Sequence, residues 1–281
     1  MRIALAQVTC DLGDVDANVE RAADFITRAR EQDADLTVFP ELHLSGYGLG
    51  GVADDLSLDI QDPRLSRLAR LADPGAVVLG FPESSRSWVH TYNSAACFAA
   101  GELVHVHRKL YLPTYDIFEE RKHFSPGNQL RAFEIAGVGV AILICNDAWQ
   151  PMLPFLAVQD GARVLLHPAN SAQSRFPDRY DSATYWRDLS SFYGRMYQSF
   201  VVFVNRVGEE GDLRFFGQSH VADPWGQFIA EAAKDEEDLL VVDVDVAEVR
   251  RRRREIPLLR EARLALLDRE IRRLADGGGD L

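Results

Sequence analysis

Short apolar, β-branched runs alternate with helical patterns along almost the whole of this 281-residue chain. The runs have the length and composition of strands, and we expect strands at Ile3–Val8, Leu36–Phe39, Ala76–Gly80, Ser94–Ala99, Val138–Ile144, Val164–His167, Phe200–Val204, His220–Ala222 and Leu239–Val244. Apolar residues at helical spacing predict helices around Val19–Ala29, Leu65–Leu71, Tyr180–Ser199 and Leu258–Leu274. Because strands and helices are interleaved, the sequence predicts an α/β or mixed α+β class.

Part of the predicted sheet should be antiparallel. The strand candidates Tyr92–Ala99 and Glu102–Val106 are separated only by Ala100 and Gly101, which is a hairpin signal. No shift in composition divides the chain before its C-terminal end. We therefore expect one domain over residues 1–281, with a helical tail from about residue 256.

The charge balance argues against two classes of partner. Lysine and arginine total 31 against 43 aspartates and glutamates, which gives a formal charge of −12. A surface of that sign repels phosphate backbones and anionic lipid headgroups, so we expect no nucleic acid and no membrane partner. The longest apolar run, Val138–Cys145, is also far shorter than the ~20 residues that cross a bilayer.

Two features of the sequence predict a cytoplasmic protein. The chain opens on a strand-like segment, Met1–Val8, without the features of a signal peptide. The cysteines Cys10, Cys97 and Cys145 are odd in number and lack paired spacing, which is typical of reduced thiols.

Three reactive residue types follow predicted strands. Cys145 ends the apolar run Val138–Ile144, Glu41 follows Leu36–Phe39, and Lys109 lies where the strand at 102–106 runs into an aperiodic segment. Ligands in α/β sheets bind at the carboxyl ends of strands. Taken singly, each residue also fits an ordinary role, as a small buried thiol, a solvated glutamate or a surface lysine.

The combination resembles the nitrilase superfamily, also called the carbon–nitrogen hydrolases. The motifs that carry the resemblance occur in the family's order and are Phe39-Pro40-Glu41, Arg108-Lys109-Leu110-Tyr111-Leu112-Pro113 and Ile144-Cys145-Asn146-Asp147. A further motif, Phe118 to Phe124, maps the family's supporting carboxylate to Glu120. The Cys-x-Asp-x-Trp pattern is similar to the amidases and to the glutaminase portion of NAD synthetases. Many members carry glutamate or arginine after the cysteine where this chain has Asn146, which leaves the substrate subclass open.

The resemblance implies a fold, an assembly and a reaction. The fold would be a four-layer α-β-β-α sandwich, and the assembly a homodimer or a higher homo-oligomer. The reaction would convert a small-molecule amide to a carboxylic acid and ammonia through a thioester on Cys145. Glu41 would be the base, and Lys109 with the backbone N–H of Asn146 would stabilise the oxyanion. No metal and no organic cofactor is expected. A nitrilase, an N-carbamoyl hydrolase and a catalytically silent binding homologue remain alternatives.

Residues just beyond these motifs, or beyond the strand end at His167, are the candidates for the substrate pocket. They are Tyr47, Tyr115, Asn146, Trp149, Asn170, Ser171 and Arg175. If Arg175 faces the pocket, it would favour a substrate that bears a carboxylate.

Overall fold

The computed structural model describes residues 1–51, 55–115 and 119–277. The strands are β1 (Arg2–Gln7), β2 (Leu36–Val38), β3 (Ala76–Ser84), β4 (Thr91–Ala99), β5 (Glu102–Arg108), β6 (Phe133–Ile135), β7 (Val138–Ile142), β8 (Val164–Ala169), β9 (Phe200–Asn205), β10 (Val207–Glu210), β11 (Leu213–Phe216), β12 (His220–Ala222), β13 (Phe228–Glu231) and β14 (Asp238–Asp243). The helices are α1 (Val15–Glu31), α2 (Pro63–Ala72), α3 (Met152–Gln159), α4 (Ser182–Tyr197), α5 (Ala247–Glu255) and α6 (Leu264–Asp276).

The described strands form two six-stranded sheets and a separate hairpin. The first sheet has the order β14-β1-β2-β3-β4-β5, and the second has the order β13-β12-β9-β8-β7-β6. In each sheet the three consecutive strands β1-β2-β3 or β7-β8-β9 run parallel, and the flanking strands are antiparallel. The predicted hairpin between β4 and β5 is confirmed, and Ala100 and Gly101 at its turn both have positive φ.

Side chains alternate between the two faces of each strand and so divide the core into layers. On β3, Val78 belongs to the cluster between the two sheets, whereas Val77 and Leu79 pack with α1 and α2. Leu153 of α3 and Trp186 of α4 cover the other face of the second sheet. The result is the four-layer α-β-β-α sandwich implied by the resemblance, and the α/β fold class is confirmed.

Local signals in the sequence determine where the helices on the first sheet begin. The Asp14 carboxylate accepts the N–H of Ala17 at 3.0 Å at the start of α1. Asp62 caps α2 in the same way, and Pro63 occupies the first turn, where its missing N–H has no cost. The apolar faces of the two helices pack on the outer face of the first sheet.

Several elements were not expected from the sequence. Strands β6, β10, β11 and β13 are three or four residues long and carry little apolar alternation, and α3 is apolar on all sides. The predicted helix at 258–274 is interrupted, since a 3₁₀ turn at Leu258–Glu261 precedes α6. No helix within the described ranges is long and apolar enough to cross a membrane.

The fold brings the ends of several strands together between the two sheets. Glu41 lies three residues beyond β2, and Cys145 lies three residues beyond β7. β2 runs parallel to β1 and β3, and β7 runs parallel to β8, so the carboxyl ends of these parallel strands lie at one edge of each sheet. Lys109 follows β5 directly, and Asn170 follows β8. The strand topology therefore places residues 41, 109, 145 and 170 just beyond the ends of strands.

Candidate active site

Glu41 is fixed in place by a tight contact between its own segment and β3. A Cβ atom on Gly80 would lie 2.4 Å from the carbonyl oxygen of Pro40, so only glycine permits this approach. The His43 ring stacks on Phe39, and its Nδ1 lies 3.3 Å from the Pro40 carbonyl oxygen. These contacts leave the Glu41 side chain 1% exposed.

The ammonium of Lys109 is buried between two carboxylates. Its Nζ donates to Oε1 of Glu41 and to Oε1 of Glu120, each at 2.6 Å. Burial alone would lower the pKa of Lys109, but the charges of Glu120 and Glu41 outweigh it and hold that pKa well above its ordinary value. Lys109 therefore stays charged in a site without access to water.

Glu120 occupies a 3₁₀ turn in the segment that follows β5. The same Oε1 that accepts from Lys109 also accepts the Tyr47 hydroxyl at 2.7 Å. Burial raises the pKa of Glu120 to about 7, against the opposing pull of Lys109, and the charge of Glu41 adds to the rise. The Glu120 carboxyl can therefore change its protonation state near neutral pH.

Two asparagines complete the environment of Glu41. Asn93 of β4 donates from Nδ2 to Oε1 at 2.7 Å, and the backbone N–H of Asn170 donates to Oε2 at 2.9 Å. The Asn170 side chain also donates to the Glu41 carbonyl oxygen at 2.7 Å. The Glu41 carboxylate is thus oriented from β4, from the end of β8 and by Lys109.

Cys145 begins a 3₁₀ turn, and its backbone has a conformation that residues other than glycine rarely adopt. Its φ is +45°, and such a backbone persists only where the surroundings impose it. Burial raises the pKa of the Cys145 thiol well above its ordinary value; Glu41 adds to the rise, while Lys109 opposes it. The thiol therefore lies within the electrostatic influence of both residues and is neutral at physiological pH.

Asp147 holds this turn against the segment that carries Lys109. Its Oδ1 accepts the backbone N–H groups of Leu110 and Tyr111, each at 2.9 Å. Its Oδ2 lies 2.8 Å from Nε2 of His107 and accepts the N–H of Ile144 at 3.2 Å. One buried carboxylate thereby links β5, the segment after it and the turn of Cys145.

A cavity of about 510 Å³ opens beside Cys145. Four of the predicted pocket residues line it, namely Tyr115, Asn146, Trp149 and Ser171. Asn146 accepts the Tyr115 hydroxyl at 3.0 Å and donates to the carbonyl oxygen of Tyr111 at 3.1 Å. The cavity therefore starts at the proposed nucleophile and is bounded by the turn that follows it.

The other three predicted pocket residues are placed differently. Tyr47 contacts Glu120, and Asn170 contacts Glu41, so both lie behind the cavity rather than on its surface. Arg175 is exposed and does not line the cavity. Arg179, four residues later, does line it.

Comparison with known proteins places the chain in a family. The family model described as carbon-nitrogen hydrolase matches residues 2–254. The chain belongs to the carbon–nitrogen hydrolase family. It is 33% identical over 255 residues to a glutamine-dependent NAD(+) synthetase of Thermotoga maritima, a match that covers 88% of this chain and 42% of that protein. The chain thus spans less than half the length of that relative.

Two further relatives of this hydrolase match along most of both chains. An (R)-stereoselective amidase of Pseudomonas sp. is 32% identical over 270 residues, which cover 95% of this chain and 93% of the amidase. A variant amidase of Nesterenkonia sp. AN1 superposes with a TM-score of 0.79 at 27% identity, over 96% of each chain. That structure carries the acetamide moiety of fluoroacetamide, covalently added at the amidase's active-site cysteine.

Some residues of the hydrolase site were not identified from the sequence. Asn93 and Asp147 are not among the site residues predicted from the sequence, although Asp147 lies in the motif that contains Cys145. His107 is not among the predicted site residues either, and no group of three or more potential metal ligands occurs within residues 1–51, 55–115 and 119–277. A signal for Asp147 was available, since a carboxylate two residues beyond a strand-end cysteine is placed to accept backbone N–H groups.

We expect iodoacetamide to modify Cys145 faster than the other two cysteines. Cys145 lines the cavity, whereas Cys10 and Cys97 lie in the core, where burial raises their pKa values to about 11 and about 12. Because the Cys145 thiol is also neutral, its labelling rate should rise with pH. A time course of peptide mass spectra at neutral and alkaline pH measures this, with Cys145→Ala as the control. Earlier labelling of Cys10 or Cys97 would contradict the placement of Cys145.

Proposed function

We propose that this protein hydrolyses a small linear amide to a carboxylic acid and ammonia, with Cys145 as the nucleophile. The observation that carries the proposal is the buried ammonium of Lys109, held at 2.6 Å by both Glu41 and Glu120 beside a thiol that opens on a cavity. Family membership and the amidases among the relatives support the same reaction class.

Glu41 is the proposed base. The raised pKa of the Cys145 thiol means that a proton must be removed before attack. Glu41 is oriented for this by the backbone N–H of Asn170 on one oxygen and by Asn93 on the other. As Glu41 takes the thiol proton, the sulfur attacks the amide carbon and a carbon–sulfur bond forms.

Lys109 is the proposed stabiliser of the oxyanion, together with the backbone N–H of Asn146. A fixed ammonium in a buried site stabilises developing negative charge far more than it would in water. Collapse of the tetrahedral intermediate breaks the carbon–nitrogen bond, and Glu41 returns its proton to the departing nitrogen. Glu41 then takes a proton from water, and the resulting hydroxide attacks the thioester carbon. The carbon–sulfur bond breaks, the acid leaves, and Glu41 returns its proton to the sulfur. The proposed route uses no metal and no organic cofactor.

The nature of the scissile bond is part of the proposal and needs a direct assay. Nitriles and N-carbamoyl compounds suit the same three residues, and the NAD synthetase relative is named for its dependence on glutamine. A panel of aliphatic and aromatic amides, glutamine, nitriles and N-carbamoyl amines, followed by ammonia release, separates these classes. A catalytically silent homologue would release nothing from any of them.

We also propose a cytoplasmic homo-oligomer built from a single domain. The apolar side chains Met152 and Leu156 of α3 and Phe192 and Met196 of α4 are each 44% to 47% exposed on neighbouring helices. A second copy that covered this face would remove that apolar surface from water. The cysteines within the described residues are all free thiols, which is compatible with a reducing compartment.

Substitution of the three central residues should abolish turnover of any substrate in the panel. Cys145→Ala removes the nucleophile and should reduce kcat by about 10⁴-fold or more. Glu41→Gln and Lys109→Met should each cost about 10²-fold to 10⁴-fold, because base and oxyanion donor are lost separately. Intact-protein mass spectra of the wild type during turnover should contain an acyl adduct on Cys145.

The control for these variants is Cys97→Ala, which removes a buried thiol of β4 that does not line the cavity. It should retain activity with the same substrate. Turnover by Cys145→Ala at the wild-type rate would disprove the proposed chemistry.

Activity should rise with pH through about 7 as Glu120 ionises. Below its pKa Glu120 is a neutral acid, and above it Glu120 is a carboxylate that accepts a charge-assisted hydrogen bond from Lys109. We therefore expect kcat/KM, measured from pH 5 to 9, to show an ascending inflection near 7 that is absent in Glu120→Gln. At pH 8 the variant should be about 10-fold to 100-fold slower, since it lacks one charge-assisted hydrogen bond to Lys109. The same inflection in the variant would assign it to another group.

A further inference from the structure

Five aromatic side chains are among the described residues that line the cavity beside Cys145. Trp149 and Trp186 meet edge to face, with centroids 5.5 Å apart and an interplanar angle of 81°. The ring centroids of Tyr180 and Trp149 are 6.1 Å apart. Phe176 and Tyr115 are the other two aromatic residues of the lining. A cavity of about 510 Å³ with such walls has room for a group the size of a substituted aromatic ring.

These walls are held rigidly by contacts behind them. Trp186 donates from Nε1 to the Ser171 hydroxyl at 2.9 Å and stacks on Phe203 of β9 at 4.5 Å. The Tyr185 ring stacks on the Trp149 ring, and their centroids are 6.0 Å apart. Since these two tryptophan rings are already held in place, packing of a flat apolar group against them loses little conformational entropy.

Arg179 is the charged side chain among the described lining residues, and it is exposed at the cavity. Its guanidinium makes no ion pair and donates no side-chain hydrogen bond within the part of the chain that the structure describes. The described lining residues include no aspartate or glutamate. The cavity therefore offers aromatic surface and a free positive charge, without a described anion for a cationic substrate group.

We propose that the acyl part of the substrate is an aryl-sized apolar group with an anionic terminus, and that Arg179 binds this terminus. This inference rests on the proposed amide hydrolysis, because it places the amide at Cys145 and the acyl group along the aromatic walls. A guanidinium pairs with a carboxylate through two parallel hydrogen bonds, which gives orientation as well as affinity. An amide whose acyl group ends in an ammonium, with no carboxylate, would place a positive charge beside Arg179 and is disfavoured.

Three amides that differ only in the para substituent of a phenyl ring test the proposal. They are phenylpropanamide, its para-carboxylate and its para-aminomethyl derivative, with glutamine as the fourth probe. We expect kcat/KM for the carboxylate to exceed that of neutral phenylpropanamide by about tenfold or more. Arg179→Gln should remove this advantage, so that the variant hydrolyses the carboxylate and neutral phenylpropanamide at similar rates.

Two further variants separate Arg179 from a general charge effect. Arg86→Gln removes one positive charge from the exposed turn between β3 and β4, away from the lining residues, and should keep the preference. Arg175→Gln tests the neighbouring arginine, which the structure leaves outside the cavity. Loss of the preference in Arg175→Gln but not in Arg179→Gln would overturn the assignment.

A binding measurement keeps this test independent of turnover. Titration calorimetry of Cys145→Ala with the same four amides should give a Kd for the carboxylate about tenfold below that for neutral phenylpropanamide, and equal values after Arg179→Gln is added. Equal binding of the carboxylate and neutral amides, or tighter binding of the aminomethyl amide or glutamine, overturns the inference. If no amide is hydrolysed but the carboxylate still binds through Arg179, the proposed function fails and the inference about the ligand stands.

Discussion

The arrangement of the site depends on one buried ammonium. Lys109 has no contact with water, and its charge is tolerated because two carboxylates lie 2.6 Å from Nζ. Removal of one partner from such a buried pair typically costs about 3–5 kcal/mol, because the remaining charge is left uncompensated. Glu41, Lys109 and Glu120 come from three separate segments, so this electrostatic balance also fixes how those segments meet.

The two sheets supply the rest of the geometry. Glu41 follows a strand of the first sheet and Cys145 a strand of the second, and the inner faces of those sheets pack into a continuous apolar cluster. Asp147 then links the Cys145 turn by hydrogen bonds to the segment after β5, which begins with Lys109. Apolar packing thus brings the sheets together, and a few buried polar contacts set the distances between the reactive groups.

The interleaving of strands and helices was enough to predict the fold class. The motifs behind the family resemblance were enough to predict that Glu41, Lys109, Cys145 and Glu120 lie near one another. The sequence was insufficient for Asn93 and for Arg179. Asn93 meets Glu41 only through the pairing of β3 with β4, which no local pattern reports. Arg175 and Arg179 lie in one irregular segment without strand or helix periodicity, so no sequence pattern indicates which of them reaches the cavity. Short strands such as β6 and β13 depend on pairing with their neighbours rather than on their own composition.

The charge state of Lys109 is the most direct test of this account. The chain contains three lysines, Lys109, Lys122 and Lys234, so lysine-specific ¹⁵N labelling gives few Nζ signals, and Lys→Arg variants at 122 and 234 assign them. We predict that Nζ of Lys109 remains an ammonium beyond the pH at which an ordinary lysine titrates, about 10.4, and that its protons exchange slowly with water. A neutral amine at or below that pH would mean that burial outweighs the two carboxylates, and it would contradict the proposed role of Lys109.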